Sequence, residues 1–170
     1  MTPQDALFSI AEISIGLAGF SGLVVALRRN PGPLTQVQQF RLRVLLVLTF
    51  GAMFLSLLPG LLDNLGVPAD RIWFDAAGAM LLFSLGFVVW LIRRGRQIAT
   101  ITPEIFNWLL FSSLVGGHVV VLLLQGCVLA GIVEARAPGI YELGLVWYLF
   151  HAAQQFTRML FVQPRSPEHA

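Results

Sequence analysis

Long apolar stretches separated by short polar ones run through the whole chain. Five of them, roughly residues 6–27, 38–62, 72–92, 104–133 and 140–162, exceed the ~20 residues an α-helix needs to cross the hydrocarbon of a bilayer. The pattern predicts an all-α polytopic membrane bundle of five helices, one domain over residues 1–162, with 163–170 as a short disordered cytoplasmic tail. The fifth stretch is rich in polar side chains, among them His151, Gln154, Gln155 and Arg158. A surface-lying helix therefore competes there with a spanning one.

Helix punctuation supports these spans. Pro31-Gly32-Pro33 closes the first, and Thr35 is placed to cap a second helix that starts in water, with Gln36, Gln38, Gln39, Arg41 and Arg43 wet. Pro59-Gly60 and Asp63-Asn64-Leu65-Gly66 bend its far end. Thr102-Pro103-Glu104 reads as cap, first helical residue and dipole-favoured acid of the fourth helix, and Ala137-Pro138-Gly139 as a tight turn into the fifth. The N-terminus lacks the positive flank and Ala-x-Ala site of a cleaved signal, so the first span is expected to be retained.

Composition agrees with the hydropathy pattern. Only 12% of the residues are charged, 56% are hydrophobic and the mean hydropathy is +0.77, whereas about a quarter of the residues of soluble domains are charged. All eleven basic residues are arginine and the net charge is only +2, too slight an excess to argue for nucleic acid as a partner. The absence of lysine matches the coding bias of a GC-rich bacterial genome. With the hydropathy it points to a bacterial inner membrane, with lipid around the chain and a homo-oligomer or larger membrane complex as the expected assembly. Cys127 is the single cysteine, which excludes an intramolecular disulfide and a multi-cysteine metal centre.

The arginines also predict orientation, because positive charge in short loops stays cytoplasmic. Arg28, Arg29, Arg41 and Arg43, then Arg93, Arg94 and Arg96, then Arg158 and Arg165 fall on one side; Arg71 and Arg136 fall on the other with Asp5, Asp63, Asp70 and Glu134. That places the N-terminus outside and the C-terminus in the cytoplasm.

Polar groups inside the apolar runs carry whatever chemistry there is, since an ionisable side chain at mid-bilayer costs about 2.5–3.5 kcal/mol or more and turns toward protein or water. Glu12 and Gln125 fall at similar depths in the outer half, and His118 and His151 near the midplane. His118 and Gln125 share one helical face, and His151, Gln154, Gln155 and Arg158 another. The fourth and fifth helices are thus expected to turn polar stripes toward each other, with Glu12 joining from the first beside Gln125. Such an interior either glues helices together or lines a proton or ion path.

Small residues predict close helix contacts. Ser14, Ala18 and Gly22 form one row and Ser9, Glu12, Gly16 and Gly19 an adjacent one on the first helix; Ser112 with Gly116 and Ser113 with Gly117 repeat the spacing on the fourth. These rows serve either a contact between helices one and four or self-association.

Two resemblances add chemical alternatives. Gly19-Phe20-Ser21-Gly22 is similar to the Gly-x-Ser-Gly motif of rhomboid intramembrane proteases. It implies a serine hydrolase in which Ser21 pairs with a histidine on another helix, although a glycine-rich helix contact accounts for the same residues. His118 and His151 on consecutive helices, with Gly116 and Gly117 leaving room beside them, resemble the bis-histidine b-type cytochromes of membranes. They imply haem b with both histidines as axial ligands. No other metal or enzymatic motif is recognisable, and a non-enzymatic oligomeric or accessory subunit is the expected function.

Overall fold

Capping chemistry sets where the second and fourth helices begin and end. In a computed structural model, which describes residues 3–26, 34–101, 103 and 106–161, the order is α1 Pro3–Ala26, α2 Gln36–Asn64, α3 Ala69–Ile101, α4 Trp108–Leu129, a 3-10 turn at Glu134–Arg136 and α5 Ala137–Phe161. Thr35 caps α2 in a reciprocal box with Gln38: its hydroxyl accepts from Gln38 N at 3.3 Å and its own N–H donates to Gln38 Oε1 at 3.1 Å. Both α2 and α4 end in a Schellman motif. Gly66 and Gly131 take positive φ, and the next residues, Val67 and Ile132, donate back to Leu62 O and Cys127 O.

The chain is an all-α helical bundle, and α1 to α4 are each long and apolar enough to cross a membrane. At ~1.5 Å rise per residue, the 33 residues of α3 and 29 of α2 reach about 50 and 44 Å, well beyond the ~30 Å of hydrocarbon. Helices of this length either tilt or extend beyond the apolar layer.

Several boundaries differ from the sequence expectation. Helix α3 continues past residue 92 to Ile101 because no breaker precedes Pro103, so Arg93, Arg94 and Arg96 lie on a helix rather than in a loop. Arg94 Nη1 donates to Gln97 Oε1 at 2.7 Å and Thr100 Oγ1 to Gln97 O at 2.8 Å, both within that extension. Helix α4 starts at Trp108, with Asn107 Oδ1 accepting from Leu110 N at 3.0 Å as its cap. Pro138 and Gly139 belong to the first turn of α5 instead of preceding it. Arg28, Arg29, the Pro31–Pro33 break, Thr102, Glu104, Arg165 and the tail 163–170 lie outside the described residues.

Helix α5 is the hub, packed against α1, α2, α3 and α4, while α1 lies against α2 and α5. The expected pairing of helices one and four gives way to this arrangement: the α1 stripe of Leu7, Ile10, Ala11, Ser14 and Ser21 is buried, and Phe8, Ile13, Ile15 and Phe20 face outward. The core between α2, α3 and α5 is filled by Val44, Leu45, Leu48, Ala52, Ala76, Met80, Leu145, Tyr148 and Ala152, none of them measurably exposed.

Candidate functional site

The polar residues of the interior collect on the seam where α5 meets α4, α3 and α2. On α4 the buried stripe is Leu114, His118, Val121, Gln125 and Val128, successive steps of three and four that form one helical face. On α5 the buried face holds Tyr141, Gly144, Leu145, Tyr148, His151, Ala152 and Gln155, with the same spacing.

At the centre, His118 Nε2 and His151 Nδ1 share a hydrogen bond of 2.9 Å, both residues being fully enclosed. Phe87 lies 4.9 Å from the His118 ring and 6.2 Å from the His151 ring, Tyr148 stacks on His118 at 5.5 Å, and Trp147 meets its edge at 6.1 Å. His118 Nδ1 has no hydrogen-bond partner. His151, whose remaining ring nitrogen is Nε2, lines a cavity of about 40 Å³ toward the arginine-bearing helix ends.

Towards the other end of the seam, Ser84 and Tyr148 share a short hydrogen bond between α3 and α5. Gln125 Nε2 donates to Ile140 O at 3.2 Å, leaving Oε1 unpaired. Tyr141 Oη donates to Leu55 O at 2.6 Å. Proline explains that last contact: Pro59, inside α2, has no N–H to give the carbonyl four residues earlier, so the tyrosine hydroxyl supplies the missing donor. Trp147 Nε1 and Gln154 Oε1 are further buried atoms without partners. Among the described residues, all four such atoms therefore belong to α4 or α5.

Other expected site residues fall elsewhere. Glu12 is exposed on the outward face of α1 and does not meet Gln125, because α1 packs on α2 and α5 and turns its inner stripe to them. Gly16, Gly19 and Gly22 also face outward, with no atom within 4 Å of where a side chain would start, and Gly116 is equally open. Ser14 is buried and donates to Ile10 O at 2.7 Å, and Ala18 O accepts from Ser21 Oγ at 2.7 Å. Ser113 is exposed and bonds Leu110 O at 2.8 Å. Gly117 alone of the α4 glycines serves a tight contact, since a methyl group there would overlap the Trp147 ring.

These positions bear on the two chemical alternatives. Two axial haem ligands must flank an iron and a macrocycle, whereas His118 and His151 bond each other directly and the space over Gly117 holds Trp147; the haem geometry does not fit. Ser21 spends its hydroxyl on its own helix, and the ring contacts and hydrogen bonds of both histidines are made within α3, α4 and α5. A serine–histidine pair for hydrolysis is therefore not assembled.

Sequence reasoning missed the arginine end. Arg41 is only 5% exposed, not wet, and its Nη1 donates to Arg158 O at 3.2 Å. The cavity beside it is lined by Arg41, Arg158, His151, Gln155 and Asn107 among apolar neighbours. A signal was available: Arg158 continues the His151–Gln155 face that the sequence already singles out. Comparisons with known protein families, with characterised proteins and with solved structures found no match for the chain.

Proposed function

We propose that this integral membrane protein is a non-enzymatic subunit of a bacterial inner-membrane assembly whose α4–α5 seam relays protons. One observation carries the reading: the two imidazoles form a wire of four nitrogens, His118 Nδ1, His118 Nε2, His151 Nδ1 and His151 Nε2, with a 2.9 Å bond in the middle. A proton taken up at the unpaired His118 Nδ1 lets His118 release its Nε2 proton to His151 Nδ1. His151 then gives up its Nε2 proton to the cavity it lines. Each ring ends with one proton, on the opposite nitrogen from before, and a tautomer exchange or ring flip resets the pair. Gln125 Oε1, Trp147 Nε1 and Gln154 Oε1, buried and unpaired along the same two helices, are sites where water completes the route.

A second reading is favoured by the bonds that tie helices together. Tyr141 to Leu55 O, Ser84 to Tyr148 and His118 to His151 link α5 to α2, α3 and α4 respectively, and such bonds stabilise membrane bundles by about 0.6 kcal/mol each on average. Proteoliposomes separate the two. Under the relay, wild-type protein carries a proton flux that His118→Phe and His151→Phe abolish while circular dichroism and oligomeric state stay unchanged. Flux absent from wild type, or equal in all three, leaves the histidines as glue.

The expectation of partners is carried by α1. Its outward face joins Glu12 to open glycines and to exposed Phe8, Ile13 and Phe20. A carboxyl facing lipid is costly, and glycine rows let a second helix approach closely. A second copy of the chain meeting this face shields both.

A further inference from the structure

The cavity at the arginine end combines features that the proton relay does not use. Arg41 sits at the second turn of α2 with 95% of its surface removed from solvent, and Arg158, half-buried near the end of α5, is close enough for its charge to act on it. Neither has a carboxylate partner among the described residues, and no described acid lines the cavity. A buried guanidinium without a counter-charge is among the most expensive groups a fold can hold, more so beside a second one. The hydrogen bond from Arg41 to Arg158 O uses one of five N–H donors. Charge of one sign has thus been gathered where the described residues supply nothing to balance it.

Every polar neighbour can help to hold an anion. Asn107 spends its carbonyl oxygen on capping α4, which leaves its amide N–H₂ as a donor. The N-terminus of α4, 22 residues long, begins at the same place and adds the positive end of its dipole. His151 and Gln155 complete the polar wall, while Phe40, Phe106, Phe111 and Leu114 close the rest. The cavity volume of about 40 Å³ compares with the ~10–15 Å³ that one water needs, enough for a small oxyanion. The helix ends that meet here are those of α2, α3, α4 and α5, and α2 and α3 are both longer than the hydrocarbon is thick, which suits an approach by a phospholipid phosphate.

We infer that the Arg41–Arg158 cavity is a binding site for a phosphate-bearing anion, held by a two-guanidinium clamp with Asn107 and the α4 N-terminus. The phosphate comes either from an anionic lipid headgroup or from solution; the chemistry recognised is the same. The site does not depend on proton movement along the seam, so a protein that carries no flux still binds.

Native mass spectrometry from a neutral maltoside detergent tests the site in two arms. One titrates 1-palmitoyl-2-oleoyl phosphatidylglycerol against the zwitterionic phosphatidylcholine of the same chains, and the other titrates inorganic phosphate. The expected result is one retained phosphatidylglycerol, or one retained phosphate, per chain, weakened at least tenfold in Arg41→Gln and in Arg158→Gln. Retention of phosphatidylglycerol alone identifies the lipid as the source; retention of phosphate without preference for phosphatidylglycerol identifies a soluble ligand. Arg158→Gln, at a half-exposed position, keeps the test valid if Arg41→Gln does not fold. Equal retention by wild type and by Arg158→Gln in both arms overturns the proposal. So does binding that appears only in Glu104→Gln, because the chain's own acid would then be the counter-charge.

Discussion

The contact between Tyr141 and the proline-broken turn of α2 yields a quantitative prediction. Pro59 leaves Leu55 O without its i+4 donor, and Tyr141 Oη serves it at 2.6 Å with both residues buried. Tyr141→Phe keeps the ring and its edge contact with Trp73 at 6.0 Å, so the packing change is small and the loss is that of the donor. An acceptor left unsatisfied in a dry interior costs about 1–3 kcal/mol, and the carbonyl has no water to turn to. Interhelical bonds in membranes average ~0.6 kcal/mol with a maximum near 1.7, so we expect Tyr141→Phe to destabilise by about 1–1.5 kcal/mol.

The proline supplies the control. In Pro59→Ala the new N–H reaches Leu55 O through the ordinary helical bond, and the tyrosine hydroxyl becomes dispensable. Tyr141→Phe should then cost less than about 0.5 kcal/mol, giving a coupling of roughly 1 kcal/mol between two residues on different helices. Unfolding of the four proteins by dodecyl sulfate in mixed micelles, followed by circular dichroism, measures the cycle. An equal cost of Tyr141→Phe with and without the proline would refute the account and reduce Tyr141 to a packing residue.

Three further expectations rest on the same geometry. Gly117→Ala should destabilise by about 1–3 kcal/mol because the methyl meets the Trp147 ring, whereas Gly116→Ala, with open space beside it, should be neutral or stabilise by up to ~1 kcal/mol; the unfolding midpoint must fall for the first and not for the second. A double-mutant cycle of His118→Ala and His151→Ala should give a coupling of about 0.6–1.7 kcal/mol for their shared bond, and additive losses would mean the bond contributes nothing to stability. In a Cys127→Ala background, Ile15→Cys on the exposed face of α1 should cross-link two copies in native membranes, and Gly19→Ile should cut that yield several-fold without lowering the unfolding midpoint; no cross-link removes the second copy from that face.

The helical architecture was legible in the apolar periodicity because backbone groups in lipid have little alternative to helix. So was the facing of two polar stripes, since His118 with Gln125 and His151 with Gln155 are fixed to helical faces by spacing alone. What spacing could not give was the third dimension: which face of α1 turns inward, and which helix it meets. The glycine row of α1 looked like an interior contact, yet Leu7, Ile10, Ala11, Ser14 and Ser21 take the inner position, and Gly16, Gly19 and Gly22 face outward. Arg41 looked wet because it stands in the second turn of a helix. It is buried because the end of α5 closes over it, a pairing that no local pattern announces.

Helix α5 and helix α1 show why hydropathy misranks the helices of a bundle. A transfer scale grades each segment as if it stood alone in lipid, so α5, with its tyrosines, histidine, glutamines and arginine, falls short of the standard that α1 to α4 meet. Packing reverses the order: α5 packs against all four other helices and bonds to three of them through Tyr141, Tyr148 and His151, whereas α1 packs mainly against two and leaves most of its surface outside. Polarity on α5 therefore goes with a helix that its neighbours shield. By the same logic Glu12 is the anomaly among the described residues, because it puts a carboxyl on the least shielded helix, beside glycines with no described atom within 4 Å of where a side chain would start. A carboxyl in lipid is costly and a partner that covers it lowers the cost, which is why the outer face of α1 is where the search for an assembly should begin.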